Sequence, residues 1–231
     1  MKRIAFFAFL FCAFAAQAQF NKVTVLMEGV VLDEATLKPI GGTIEILDAT
    51  TRDKVNQYKS NKASGSFSIV LKPSQHFIFR IAAEGYFTVE EDVRMPAATK
   101  YEHITRDFSL KPAASGAEIP LAGRLFDFKK KDLRVGAEED LEEVSRLMKL
   151  NPNAKISITS YPDIAGNEQA NLAITKARAD AVREYLITQG VDQLRIRTNG
   201  SGALDPSASA TKGRVAKGKH PVGKVYLRVE G

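Results

Sequence analysis

Between residues 163 and 186 the chain carries residue types whose spacing could do chemistry. Asn171, Ile174, Thr175, Arg178, Ala179, Val182 and Leu186 recur at offsets of three, four and seven, which puts them on one side of a helix. Ile174, Val182 and Leu186 make that side apolar enough to pack on a sheet, with Asn171 and Arg178 two turns apart along its edge. Packing alone does not call for an arginine there. Asp163 lies in the loop before the helix, where the partial positive charge of a helix N-terminus favours an ionised carboxylate. An acid and a guanidinium so placed either pair with each other or each hold the opposite charge of a ligand. The residues alone leave both uses open.

Other reactive side chains form no recognisable constellation. His76, His103 and His220 are far apart and lack a second histidine or cysteine at metal-ligand spacing. Ser66, Ser160 and Ser201 sit outside any Gly-x-Ser-x-Gly elbow. Gly200-Ser201-Gly202 lacks the lysine of a phosphate loop and reads as a turn. The expectation is a non-enzymatic protein with no catalytic residue, no metal and no cofactor.

The elements that must position Asp163 and Arg178 lie in the second half. Leu121 to Phe128 reads as a strand, Gly136 to Leu150 as a helix with Glu138, Glu139 and Asp140 in its first turn, and Ala154 to Ser160 as a strand. Glu168 to Gln189 is an alanine-rich helix closed by Gly190, where a left-handed cap is wanted. Leu194 to Thr198 and Lys224 to Val229 supply two further strands. Before residue 111 the pattern is different: Thr43 to Leu47, Gly65 to Leu71, Phe77 to Ala82 and His103 to Leu110 are β-rich runs separated by turn residues. Pro112 and the small residues after it interrupt both periodicities. The expected organisation is an all-β module over 22–111, a linker over 112–117 and an α+β module over 118–230.

The N-terminus bears on location. Lys2 and Arg3 precede the apolar run Ile4 to Ala15 and the small-residue site Ala16-Gln17-Ala18, the pattern of a secretory signal peptide over 1–18. The run is shorter than the roughly 20 residues that span a bilayer. Cys12, preceded by Phe11, lacks the setting of a lipoprotein acylation site. It is the sole cysteine, so processing leaves no thiol for disulfides, metal or nucleophilic chemistry. Removing Lys2 and Arg3 leaves 31 basic against 27 acidic side chains, a net charge of +4. In an exported protein this mild excess favours anionic envelope polymers over nucleic acid.

In the first module, Gly29-Val30-Val31-Leu32-Asp33, Pro39-Ile40-Gly41-Gly42-Thr43-Ile44, Ser64-Gly65-Ser66-Phe67 and Glu84-Gly85-Tyr86 resemble the carboxypeptidase regulatory-like domain. That resemblance implies a prealbumin- or immunoglobulin-like β-sandwich with no catalytic residues, acting as spacer or protein-contact surface. Gly65 would supply a turn at positive φ and Phe67 a core side chain.

In the second module, Asn171-x-x-Ile174-Thr175-x-x-Arg178-Ala179-x-x-Val182-x-x-x-Leu186 resembles the helix motif of OmpA-like peptidoglycan-binding domains. Phe126-Asp127-Phe128 with Leu133, Gly190-Val191-Asp192, and Gly200-Ser201-Gly202 with Pro206 are similar to other landmarks of that family. The resemblance implies a mixed sheet with helices packed on one side, a periplasmic protein associated with the outer membrane, and binding to the diaminopimelate-containing stem peptide of peptidoglycan. It assigns the contacts to Asp163, Arg178, Asn171 and Thr175. The free end of diaminopimelate is a zwitterion, which needs an anion for its ammonium and a cation for its carboxylate. An arginine can give the latter two parallel hydrogen bonds. The chain departs from the family where Ser160-Tyr161-Pro162 replaces Gly-His-Thr, and where Gly213-Arg214 leads into Val215-Ala216-Lys217-Gly218-Lys219-His220 in place of Asn-Arg-Arg. Tyr161, Arg214, Lys217 and Lys219 are then secondary contacts. The expected function is a tether between wall and β-sandwich, whose partners would be outer-membrane or other envelope proteins. The alternative is a periplasmic scaffold with the fold but no wall affinity.

Overall fold

The computed structural model describes residues 23–121, 123–207 and 222–230. The signal-peptide reading of 1–18 and the basic residues Arg214, Lys217 and Lys219 lie outside them. The described chain is β-rich, with two helices. Neither helix is long and apolar enough to cross a membrane.

The first module is two sheets facing each other across one core. One is ordered β3 (Lys54–Lys59), β2 (Thr43–Asp48), β5 (His76–Ala82) and β6 (Val89–Arg94), all antiparallel. In the other, β1 (Val25–Asp33) lies between β4 (Ser66–Leu71) and two short parallel strands, β7 (Glu102–Thr105) and β8 (Phe108–Leu110). The alternation that marks these strands is also their burial: Phe77, Phe79 and Ile81 of β5 meet Met27 and Val31 of β1, while Phe67 stacks on Phe108 at 5.4 Å. Gly65 takes φ +63° at the turn into β4. The single run His103 to Leu110 is in fact broken at Arg106 and Asp107. The carbonyl of Arg106 passes so close to Gly29 that a Cβ there would lie 1.9 Å from it, and Asp107 turns its carboxylate onto the Val30 N–H at 2.8 Å.

The second module has a mixed sheet ordered β11 (Ile196–Gly200), β10 (Lys155–Ser160), β12 (Val225–Glu230) and β9 (Glu118–Pro120). β10 runs parallel to β11 and antiparallel to β12. Helices α1 (Ala137–Leu150) and α2 (Glu168–Thr188) share a core with the face bearing Ile156, Ile158, Leu227 and Val229. Gly136 (φ +88°) opens α1 and Gly190 (φ +89°) closes α2. Two expectations change. The strand expected over Leu121 to Phe128 is replaced by β9, three residues earlier, because only Glu118–Pro120 pairs with β12; beyond it Phe126 makes an isolated bridge with Leu133, outside the sheet. The strand expected from Leu194 begins at Ile196, after a 3-10 turn over Gln193–Arg195 capped by Asp192.

The segment after Lys111 is no free joint. Ala113 donates to the carbonyl of Gly85 in the first module and Gly116 to that of Val229 in the second. Phe87, from the turn before β6, is buried in the core of the second module. Thr88 and Asn151 exchange two hydrogen bonds of 2.9 Å each, and Lys111 bridges Glu34 and Glu143. The modules are therefore docked through apolar, amide and ionic contacts together.

Candidate functional site

The interior strand β10 delivers Tyr161, Pro162 and Asp163 to the end of the sheet, and Asn167 restarts the chain as α2 by accepting from the Ala170 N–H at 2.9 Å. Along α2, Thr175, Arg178, Ala179, Val182 and Leu186 are buried, as their helical spacing requires, whereas Ile174 is only partly so. Arg178 faces inward with no exposed area and lies over the Phe126 ring at 5.1 Å.

Arg178 and Asp163 do meet, but not across an open pocket. Nη1 of Arg178 donates to Oδ1 of Asp163 at 2.6 Å, and Nη2 to Oδ2 at 3.0 Å, a bidentate pair whose carboxylate is only 5% exposed. The remaining bonds are to main chain. Arg178 Nε donates to the carbonyl of Lys130 at 2.7 Å and Nη2 to that of Asp127 at 3.1 Å. Asp163 Oδ1 accepts the Gly223 N–H at 2.8 Å and Oδ2 the Lys129 N–H at 2.6 Å. Each carboxylate oxygen thus accepts two hydrogen bonds. Burial by itself raises the pKa of Asp163, but the Arg178 hydrogen bonds, the two N–H groups and the guanidinium charge outweigh it and hold the pKa below its ordinary value. The expectation of two charges awaiting a zwitterion is corrected on this point: in this structure they satisfy each other. The physical reason is that a guanidinium without exposure needs its counterion in contact.

Asn171 and Thr175 act on the neighbouring loops. Asn171 Nδ2 donates to the carbonyls of Ile164 and Gly202, and the Thr175 hydroxyl, fully buried, lies 3.0 Å from the carbonyl of Ser201. Gly200 lets that loop press onto α2, since a Cβ there would lie 2.6 Å from the Lys176 nitrogen. Tyr161 is half-buried and meets Tyr226 edge-on at 5.7 Å, while Tyr226 donates to the buried Asp205 at 2.7 Å. The four motif residues are therefore brought together as a knot joining residues 126–130, 161–167, 200–202 and 223. Sequence reasoning missed Lys129, Lys130 and Gly223, which take part through main-chain atoms and carry no side-chain signature. Among the described residues the site has no nucleophile paired with a base. Among the described residues no group of three His, Cys, Asp or Glu side chains is placed to hold a metal ion.

Comparison with known proteins bears on this half of the chain. Residues 125–219 match the OmpA family. A probable lipoprotein, YiaD, of Escherichia coli is 37% identical over 84 residues, covering 36% of this chain and 38% of that protein. Outer membrane protein A of Bordetella avium is 30% identical over 122 residues, covering 52% and 61%. The peptidoglycan-binding protein ArfA of Mycobacterium tuberculosis is 37% identical over 71 residues, covering 31% and 22%. The chain spans less than two thirds of the length of each of these relatives.

Proposed function

We infer that residues 125–219 form an OmpA-like domain. We propose that this domain binds the stem peptide of peptidoglycan non-covalently in the cell envelope, and that the first module, a carboxypeptidase regulatory-like sandwich, is the part it tethers. The observation that carries this is the coincidence of the OmpA match with the Asp163–Arg178 knot, in a segment also similar to a relative named for peptidoglycan binding. Because the pair is closed, engagement of a diaminopimelate end is an exchange. The ligand carboxylate replaces Asp163 on Arg178, and Asp163 turns to the ligand ammonium. Exchange leaves every charge paired, and its costs are the Gly223 and Lys129 hydrogen bonds, movement of the loop, and desolvation of the two ligand charges. Asn171 and Thr175 then serve by holding the loops on either side.

One observation favours the second reading, a scaffold with this fold and no wall affinity: all the contacts of Asp163 and Arg178 are already made within the protein. Pelleting of the mature chain with purified sacculi, alongside titration with a diaminopimelate stem peptide, separates the two. Wall binding requires that the wild type pellet and that Asp163→Asn, checked for folding by circular dichroism, pellet less. A folded wild type that stays in the supernatant establishes the scaffold.

A further inference from the structure

The joint between the modules has little chain of its own. It is tied to the first module by the Ala113 N–H on the Gly85 carbonyl and the Phe87 N–H on that of Lys111. Val229 ties it to the second, accepting from Gly116 and donating to the carbonyl of Ala117. Only Ala114 and Ser115 lie between these ties. On one side of the joint a cleft of about 970 Å³ lies between β6, β8 and α1, which leaves room for the modules to swing. Contacts between domains of one chain permit such motion unless they are extensive and apolar. Among the described residues, Phe87 is the one first-module side chain buried in the second core. Polar contacts must then oppose a swing.

The main polar grip is built at the C-terminal end of α1, which that helix leaves unfinished. The last carbonyls of a helix have no partners within it. The usual glycine in a left-handed cap is missing: the cap is Asn151, at φ −118° and ψ 73°, with Pro152 next. Asn151 gives its N–H and its Nδ2 to the Leu147 carbonyl, at 3.1 and 2.8 Å. Arg195, 44 positions on, gives Nη2 to the carbonyls of Asn151 at 2.6 Å and Met148 at 2.9 Å, and Nε to that of Ala154 at 2.8 Å. A cation is also the charge that a helix C-terminus favours. These bonds fix the Asn151 main chain at both its N–H and its carbonyl. Its amide then takes Thr88: Oδ1 accepts the Thr88 N–H and Nδ2 donates to the Thr88 carbonyl, each at 2.9 Å.

We propose that Arg195 is a positioning residue for the docking of the modules. By holding the end of α1 it aims the Asn151 amide at Thr88, and this clasp makes the two modules one rigid body. The first module then stands at one set angle to the Asp163–Arg178 site instead of turning about Ala114 and Ser115. Arginine suits the task because its planar fork meets several carbonyls at once. The assignment does not depend on wall binding, since neither Thr88, Asn151 nor Arg195 contacts Asp163 or Arg178.

The test measures the distance between nitroxides on the mature chain, at Val55→Cys on β3 and Val135→Cys before α1, both exposed in the structure. Pulsed electron paramagnetic resonance is expected to give a single narrow distance for the wild-type background. Arg195→Met and Asn151→Ala should each lose it to a broad distribution while keeping the circular dichroism of a folded chain. Arg195→Lys, which keeps the charge but not the fork, stands in if Arg195→Met does not fold. Gly200→Ala, at the other end of β11 from Arg195, should stay narrow. A broad distribution in the wild-type background overturns the rigid body, and a narrow one in a folded clasp variant overturns the clasp. Broadening by Gly200→Ala equal to that by Arg195→Met marks a general loosening of the second module and overturns the role of Arg195.

Discussion

Replacing Asp163 by alanine tests whether the buried pair is the knot that the structure shows. The substitution leaves a guanidinium of zero exposure without its counterion, and frees the N–H groups of Gly223 and Lys129. Removing one partner of a buried ion pair costs about 3–5 kcal/mol. The two N–H groups belong to loops that can relax toward water, so about 4 kcal/mol is a fair expectation. For the two docked modules unfolding together as a unit of about 200 residues, that is a fall in Tm of about 8–16 °C. Asp180→Ala is the control: its carboxylate is 45% exposed in the pair with Lys176 and should cost below about 1 kcal/mol. Urea unfolding followed by circular dichroism measures both. Asp163→Ala combined with Arg178→Met should recover part of the loss, because the unpaired charge is gone. Equal destabilisation by Asp163→Ala and Asp180→Ala would refute the buried clamp.

Further outcomes follow from the same geometry. The folded pKa of Asp163 is depressed, so its contribution is fully present above the ordinary value of 3.8 and is lost as pH falls through the folded value. The stability gap between wild type and Asp163→Asn, followed by urea midpoints from pH 7 downward, should hold to about pH 4 and shrink below it; a gap that widens on acidification contradicts this. Phe87→Ala, changed in the first module, should destabilise the second by about 3–5 kcal/mol, seen as faster hydrogen exchange in α1 and β10; exchange confined to the first module would disprove the docking. Gly200→Ala places a methyl against the backbone of α2 and should cost about 1–3 kcal/mol, with a denaturation midpoint like the wild type counting against the close approach.

Legibility in the sequence followed the range of the interaction. α2 was readable because the apolar period and the closing Gly190 are local, and each acts within a turn or two of the chain. The short strand β9 was not, since three residues next to Gly123 acquire strand character only from pairing with β12, more than a hundred positions later. The docking of the modules was hidden for a similar reason: Phe87 looks like any strand-flanking aromatic until its neighbours come from the second core.

At the candidate site the sequence by itself determined that Arg178 lies on the packed side of one helix and Asp163 in the loop before it, because helical period and loop length are properties of the chain. Whether that acid and guanidinium face a ligand or each other was decided only in three dimensions. The deciding groups are the main-chain atoms of Lys129, Lys130 and Gly223, 34, 48 and 60 positions from their partners. Every residue type but proline carries the same N–H and C=O, so no choice of side chain announces that these ones close the pair.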